Sequence, residues 1–325
     1  MSSLQDWAVP AALQPKPGNY PYDLDHALAS VVGVTVRVPA DAFTATTLGT
    51  ERAGNGVLIR SDGLVLTVGY LITEAETVWL RFNDGRLVQG DVLGYDQETG
   101  FGLVQALARL DMPAMPLGQS SQAQVGEAVV IGGAGGRQRS VASRIVAKQE
   151  FAGYWEYLLD EAIFCAPAHP NWGGTALIGP AGDLLGIGSL HLEQGKDKAA
   201  TEHLNMIVPI DLLKPILHDL TTLGRPNHPP RPWLGLQAAE MDSRLVVIGF
   251  SGRGPAVRAG VETGDTILAV AGTEVHGLAG LYRRIWSLGS AGVEVPMLIY
   301  RDGRRLELKI PSADRQRYFK SPSLH

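Results

Sequence analysis

The sequence predicts a mainly β protein: two small antiparallel barrels in series, then a compact α+β unit. Three observations predict it. Short apolar runs recur along the chain, separated by turn residues, with 39 glycines and 20 prolines spread rather than clustered among 325 residues. The pattern of runs stops and restarts near residue 114, beside Pro113 and Pro116. A stiff stretch, "GRPNHPPRP" at 224–232, holds four prolines and no apolar residue other than these.

The elements follow in order. Residues 1–26 are Pro-rich and read as an irregular segment. From "ALASVVGVTVRV" at 27–38 the chain becomes strand-like. The runs "GVLIRSDGLVLT", "VWLRFNDGRLVQGDVLGYD" and "FGLVQAL" follow, with Asp62-Gly63 and Asp84-Gly85 as two-residue hairpin signals. After 114 come "GEAVVIGG", "VASRIVAKQEF", "EAIFCAP", "TALIGPAGDLLGIGSLHL" and "LNMIVPI". A helix is expected from about Pro209 to Leu220, with Pro215 bending it or delaying its start. The domains are therefore read as 1–26, 27–222 with the barrels split near 114, a linker at 223–231, a unit at 232–312 and a tail at 313–325. In the last unit a helix carries Leu278, Leu281, Ile285 and Leu288 on one face.

Composition bounds the function. The net charge of −5 argues against bulk nucleic-acid binding, which needs a basic surface. Arg137, Arg139 and Arg144 read as solvated loop residues. Cys165 is the single cysteine, so no internal disulfide can form. No segment approaches the ~18–20 apolar residues that span a bilayer, and the first residues lack the pattern of a secretory signal. The expected setting is cytoplasmic, with no membrane partner.

The segments "GNGVLIRSDGLVLTVGYLI", "VWLRFNDGRLVQGDVLGYDQETGFGLVQ", "HPNWGGTALIGPAGDLLGIGS", "LNMIVPIDLLKPIL", "PWLGLQ" and "GPAVRAGVETGDTILAVAGTEVHGLAGL" occur in this order. Together they resemble the HtrA/Deg family over roughly residues 27–312. The resemblance implies a trypsin-like double six-stranded antiparallel β-barrel followed by a small PDZ domain. It places the triad at Tyr70, Gly100 and Trp172, where the family has histidine, aspartate and serine. A serine-protease relay needs a hydroxyl nucleophile, an imidazole base and an orienting carboxylate. These three residues supply none of those roles. Pro170 falls where the family uses a backbone N–H in its oxyanion hole, and proline has none. One such donor is worth about 2.7–4 kcal/mol in the transition state.

The expectation is a protein that is not an enzyme: an inactive homologue in which Trp172 and Tyr70 fill part of the cleft. Two alternatives stand beside it, a serine-type endopeptidase with a rearranged site and an oligomeric scaffold. No histidine lies between His26 and His169, so the first barrel offers no imidazole. Cys165 and His169 form the one alternative pair, with a buried thiol and a loop histidine as the simpler reading. His191 and His203 show no cysteine or carboxylate at a metal-binding spacing, so no metal and no cofactor are expected.

The PDZ-like unit implies binding of polypeptide C-termini, with backbone N–H groups capturing the carboxylate. "WLGL" resembles the family's carboxylate loop. The expected peptide-binding residues are Trp233, Leu234, Gly235 and Leu236, with Leu281 and Ile285 lining an apolar pocket. Tyr20 and Tyr22 precede the first barrel, where the family trimerises, so the resemblance also implies a homotrimer through the N-terminal segment.

Overall fold

The computed structural model describes residues 7–195 and 202–320. These group by contact into two units: one built on residues up to 149 and 161–227, the other on Glu150–Asp160 together with His228–Lys320. Each is taken by itself.

The first unit holds two closed antiparallel barrels. The first barrel comprises β1 (Val31–Arg37), β2 (Glu51–Arg60), β3 (Leu64–Val68), β4 (Thr77–Arg81), β5 (Leu87–Tyr95) and β6 (Phe101–Ala106), in the order β1-β2-β3-β6-β5-β4. Strand β3 is buried throughout. Strand β4 alternates buried and exposed side chains, as a strand with one face on a core must. The two Asp-Gly pairs lie in the turns between β2 and β3 and between β4 and β5.

The second barrel comprises β7 (Ala128–Gly132), β8 (Val141–Gly153), β9 (Tyr157–Ala166), β10 (Ala176–Ile178), β11 (Leu184–Gln194) and β12 (Glu202–Pro209), in the order β10-β11-β12-β9-β8-β7. Its core includes Val129, Ile131, Ile145, Ile163, Cys165, Leu177 and Ile207.

Two elements differ from the sequence reading. Residues Leu24–Ala29 form a short helix ahead of β1, and the Asp23 carboxylate caps it by accepting from the His26 N–H at 3.0 Å. The helix expected from Pro209 does not begin there. Strand β12 runs to Pro209, one 3-10 turn spans Ile210–Leu212, and the helix is Leu217–Leu223. Pro215 explains the shift, because its ring and missing N–H cannot sit inside a helix.

The second unit is a five-strand antiparallel sheet with one short strand off its path. Its strands are β13 (Leu236–Met241), β14 (Arg244–Phe250), β15 (Thr266–Val270), β16 (Thr273–Glu274), β17 (Glu294–Arg301) and β18 (Arg304–Pro311), in the order β13-β14-β15-β17-β18 with β16 on β15. Helix Gly277–Trp286 lays Leu278, Leu281 and Ile285 into the core; Leu288 lies beyond its end and packs at the edge. The hairpin tip Glu150–Asp160 groups with this unit, and Leu158 is a member of its core.

Candidate functional site

In the first unit the strand β3 ends in a one-turn helix, Gly69–Ile72, that carries Tyr70. The Gly69 N–H donates to the Gly100 carbonyl at 2.7 Å. The loop 167–175 joins β9 to β10 and carries Pro170 and Trp172. The Tyr70 hydroxyl donates to the Ser189 carbonyl at 3.0 Å, and the Trp172 side chain hydrogen-bonds to Tyr70. Tyr70, Gly100 and Trp172 therefore come together. Burial pushes the Tyr70 phenol up from its ordinary value, so it stays protonated and cannot serve as a base near neutrality. Gly100 has φ +85°, a conformation in which an aspartate would be strained.

Tyr70, Pro170 and Trp172 edge a cleft of about 760 Å³, also lined by Val34, Asn55, Leu71, Phe82 and Arg139. Asn55 lines this cleft, and the sequence reading did not single it out. Its side-chain amide donates to the carbonyls of Asn171 at 3.0 Å and Gly173 at 3.2 Å, and its oxygen accepts from the Ala134 N–H at 2.9 Å. Nearby, a Cβ on Gly174 would stand 1.8 Å from the Asn55 carbonyl, and Gly174 has φ +78°. Only glycine fits there. The "GNG" of 54–56 was the available signal, but one Asn between glycines reads equally well as a turn.

The Cys165–His169 pair is not assembled as a catalytic couple. His169 is fully buried. Its Nε2 lies 2.7 Å from the Arg139 carbonyl and its Nδ1 accepts from the Asn171 N–H at 3.1 Å, which fixes the proton on Nε2. Its backbone N–H also bonds the Asn205 side chain, and Trp7 meets its ring edge-on at 5.7 Å. Burial holds its pKa below the ordinary value. Burial also pushes the Cys165 thiol up, away from the reactive thiolate.

The sheet register brings His191 and His203 together. Strands β11 and β12 pair Glu193 with His203 and His191 with Asn205. His191 and Glu193 share a strand face, two residues apart, and His203 stands opposite. The His191 Nε2 and His203 Nδ1 are 3.0 Å apart, and the His203 Nδ1 is 3.8 Å from a Glu193 carboxylate oxygen. The register thus sets a second imidazole, from β12, against the His191–Glu193 pair of β11. The His191 ring packs against Trp172 at 5.2 Å between centroids. Desolvation, then the neighbouring His203, holds His191 below the usual imidazole range.

In the second unit the loop Trp233–Leu236 already holds a carboxylate. The Leu234 N–H donates to the two Glu156 carboxylate oxygens at 3.2 and 3.0 Å, and the Leu236 N–H donates to one of them at 2.8 Å. Gly235 has φ +73°, which turns the loop so that both N–H groups face inward. The segment around Glu156 runs beside β13. The Ala238 N–H donates to the Tyr154 carbonyl at 3.1 Å, the Tyr282 hydroxyl donates to the Gly153 carbonyl at 2.7 Å, and the Glu156 N–H donates to the Tyr282 hydroxyl at 3.3 Å. Burial pushes the Glu156 carboxyl up to about 7, against the loop N–H groups and Arg315, which pull it down.

The structure places the residues expected to line an apolar pocket in the core of this unit. Leu234, Leu236, Leu281 and Ile285 are all at most 1% exposed. They form core beneath the loop, and Trp233 packs at 5% exposure against the Tyr318 ring. The sequence shows Glu156 only as an acid in "YWEY", with no sign that it reaches a loop so distant in the chain.

Two families match the chain: the trypsin-like peptidase domain over residues 54–187 and the PDZ domain over residues 232–311. A Pseudomonas fluorescens protein named "Probable periplasmic serine endoprotease DegP-like" is 26% identical over 274 residues, covering 80% of this chain and 56% of its own. The chain thus spans little more than half the length of that relative. The Haemophilus influenzae serine endoprotease DegS is 28% identical over 221 residues, covering 66% of this chain and 64% of its own. A solved structure of the HtrA-type protease AlgW with a tripeptide superposes with a TM-score of 0.53 at 20% identity, covering 92% of this chain and 97% of that one. The serine endoprotease from Yersinia pestis gives 0.52 at 21% identity, covering 90% and 98%. At these identities the solved structures speak for the fold.

The relatives overturn two expectations. The reading that the chain is not an enzyme gives way, because its relatives are named serine endoproteases and no likeness shows a loss of activity. The physical reason is that replaced side chains at 70, 100 and 172 remove one relay, not every route to hydrolysis. The cytoplasmic setting gives way too, since the Pseudomonas relative is named periplasmic. One buried thiol suits an oxidising compartment as well as a reducing one. A trypsin-like peptidase domain followed by a PDZ domain, in a chain whose relatives are Deg-type endoproteases, makes this protein a member of the HtrA/Deg family.

Proposed function

We propose that this chain is an HtrA-type serine-endopeptidase homologue with a rearranged site. It takes polypeptide in the cleft of its double barrel and a carboxylate at the Trp233–Leu236 loop of its PDZ unit. The observation that carries the reading is the Glu156 carboxylate seated on the Leu234 and Leu236 N–H groups. A loop that holds one carboxylate with backbone donors has the chemistry to hold the terminal carboxylate of a peptide. The strand-like pairing of Tyr154 with Ala238 supports an extended ligand beside β13. Glu156 is then the resident occupant that a peptide displaces.

The binding half is tested with a labelled peptide ending in an apolar residue, set against its C-terminal amide. By fluorescence anisotropy the acid should bind and the amide should bind far more weakly. Glu156→Ala should tighten the acid by about tenfold or more, the effect of removing a tethered competitor. Equal binding of acid and amide, or no gain in a folded Glu156→Ala protein, counts against the loop. The endopeptidase half is tested by casein digestion between about pH 5 and about pH 9. Fragments above the buffer control support it, and their absence throughout overturns it. Hydrolysis should survive Cys165→Ala, because that thiol lies in the barrel core.

A further inference from the structure

We propose that His191, Glu193 and His203 form a binding site for a divalent transition-metal ion of the zinc class, on the β11–β12 strand pair beside Trp172. Among the described residues these are the side chains grouped so that one ligand atom from each lies within 4.8 Å of the others. The grouping follows from antiparallel register. Residues two apart on β11 point to one face, and the residue opposite Glu193 on β12 points to the same face.

The separations suit a metal. Zinc bonds of about 2.0–2.1 Å to nitrogen at tetrahedral angles put ligand atoms about 3.3 Å apart. The observed 3.0 Å between the imidazole nitrogens brackets that value from below, and the 3.8 Å to the carboxylate brackets it from above. Small side-chain rotations bring all three atoms to one centre without moving the strands. The His203 and Glu193 side chains are 53% and 68% exposed, so they are free to rotate and leave an outward position for water.

The donor set selects the ion. Two imidazoles and one carboxylate make a borderline-soft set that favours zinc, copper, cobalt and nickel over magnesium and calcium, which take all-oxygen shells. Without a metal, the close His191–His203 contact is one hydrogen bond at a strand surface, so the two states differ by the ion alone.

The test uses the full chain, free of any histidine tag and stripped with a chelator. Cobalt(II) should bind with one ion per chain and give the visible d–d absorption of a low-coordinate site, and zinc should displace it. Binding should weaken by more than about tenfold in both His203→Ala and Glu193→Gln, since even groups outside the first coordination shell cost that much. Both side chains are exposed, so the variants should keep the wild-type melting midpoint in the absence of metal. Cobalt should also quench tryptophan emission, and Trp172→Phe should remove most of that quench, because Trp172 lies against His191. Absence of stoichiometric binding overturns the proposal. So does undiminished affinity in either folded variant, or a quench that Trp172→Phe leaves unchanged.

Discussion

His169 shows how a residue that looks chemical in the sequence becomes structural in the fold. The ring is buried, and its two nitrogens and its backbone N–H are all hydrogen-bonded within the protein. His169→Ala would leave the Arg139 carbonyl and the Asn171 N–H without their partner. At about 1–3 kcal/mol for each stranded group, the loss of stability should be roughly 2–6 kcal/mol by urea denaturation. A loss below about 0.5 kcal/mol, the range of an ordinary surface change, would mean the contacts are dispensable. The pH dependence gives a second readout. Burial depresses the folded pKa of His169, so the unfolded chain binds the proton more readily. Stability is therefore present above the unfolded value of about 6.5 and falls on acidification below it. His169→Ala should flatten that part of the profile. Cys165, wholly buried, should react with a thiol reagent only as the protein unfolds. Reaction at the rate of a free thiol in the native protein would contradict its place in the core.

The strands were largely legible because short apolar runs and Asp-Gly turns obey local rules. What local rules could not supply is register. Glu193 and His203 face each other only because β11 and β12 pair in one alignment, and no spacing in the linear sequence encodes that. The hairpin tip was illegible for the same reason. Glu156 has φ +60°, an uncommon conformation for a non-glycine residue, and it reaches the Leu234 loop through tertiary contact alone. The late helix start has a local cause that the sequence shows, since Pro215 outweighs the favourable Pro209. The tip carries its own prediction. Burial raises the Glu156 carboxyl to about 7 in the folded state from an ordinary value of 4.5. The folded protein then binds the proton more tightly, so this contribution is full below about pH 4.5 and is lost as pH rises through about 7. Arg315 and the Tyr282 hydroxyl are the polar groups facing it. Melting of the second unit should fall across that window in the wild type, and Glu156→Gln should remove the fall. A parallel pH profile in the two proteins would show that the buried carboxyl does not titrate there.

At the scale of the whole molecule, sequence order and contact order divide the chain differently. Residues Glu150–Asp160, the ends of β8 and β9 with the turn that joins them, group with the PDZ unit, adding Leu158 to its core and Glu156 to its loop. A fragment of residues 228–320 alone should therefore melt below the second unit of the intact chain. A synthetic peptide of residues 150–160, added in trans, should raise its midpoint. A fragment that melts like the intact unit and ignores the peptide would make the hairpin a bystander. The seated carboxylate has a further consequence for selection among partners. A tethered ligand presents itself at an effective concentration on the order of millimolar, whatever the dilution of the cell. Under the proposed function any free peptide must outcompete that constant rival, so its apparent dissociation constant is the intrinsic one divided by the fraction of time the loop stands empty. Peptides that offer only a terminal carboxylate match Glu156 group for group and lose to it. Those that also fill side-chain positions along β13 can win. If the proposed peptide binding holds, the loop sets a threshold: it ignores the common background of chain ends and responds to ligands with more than one point of contact.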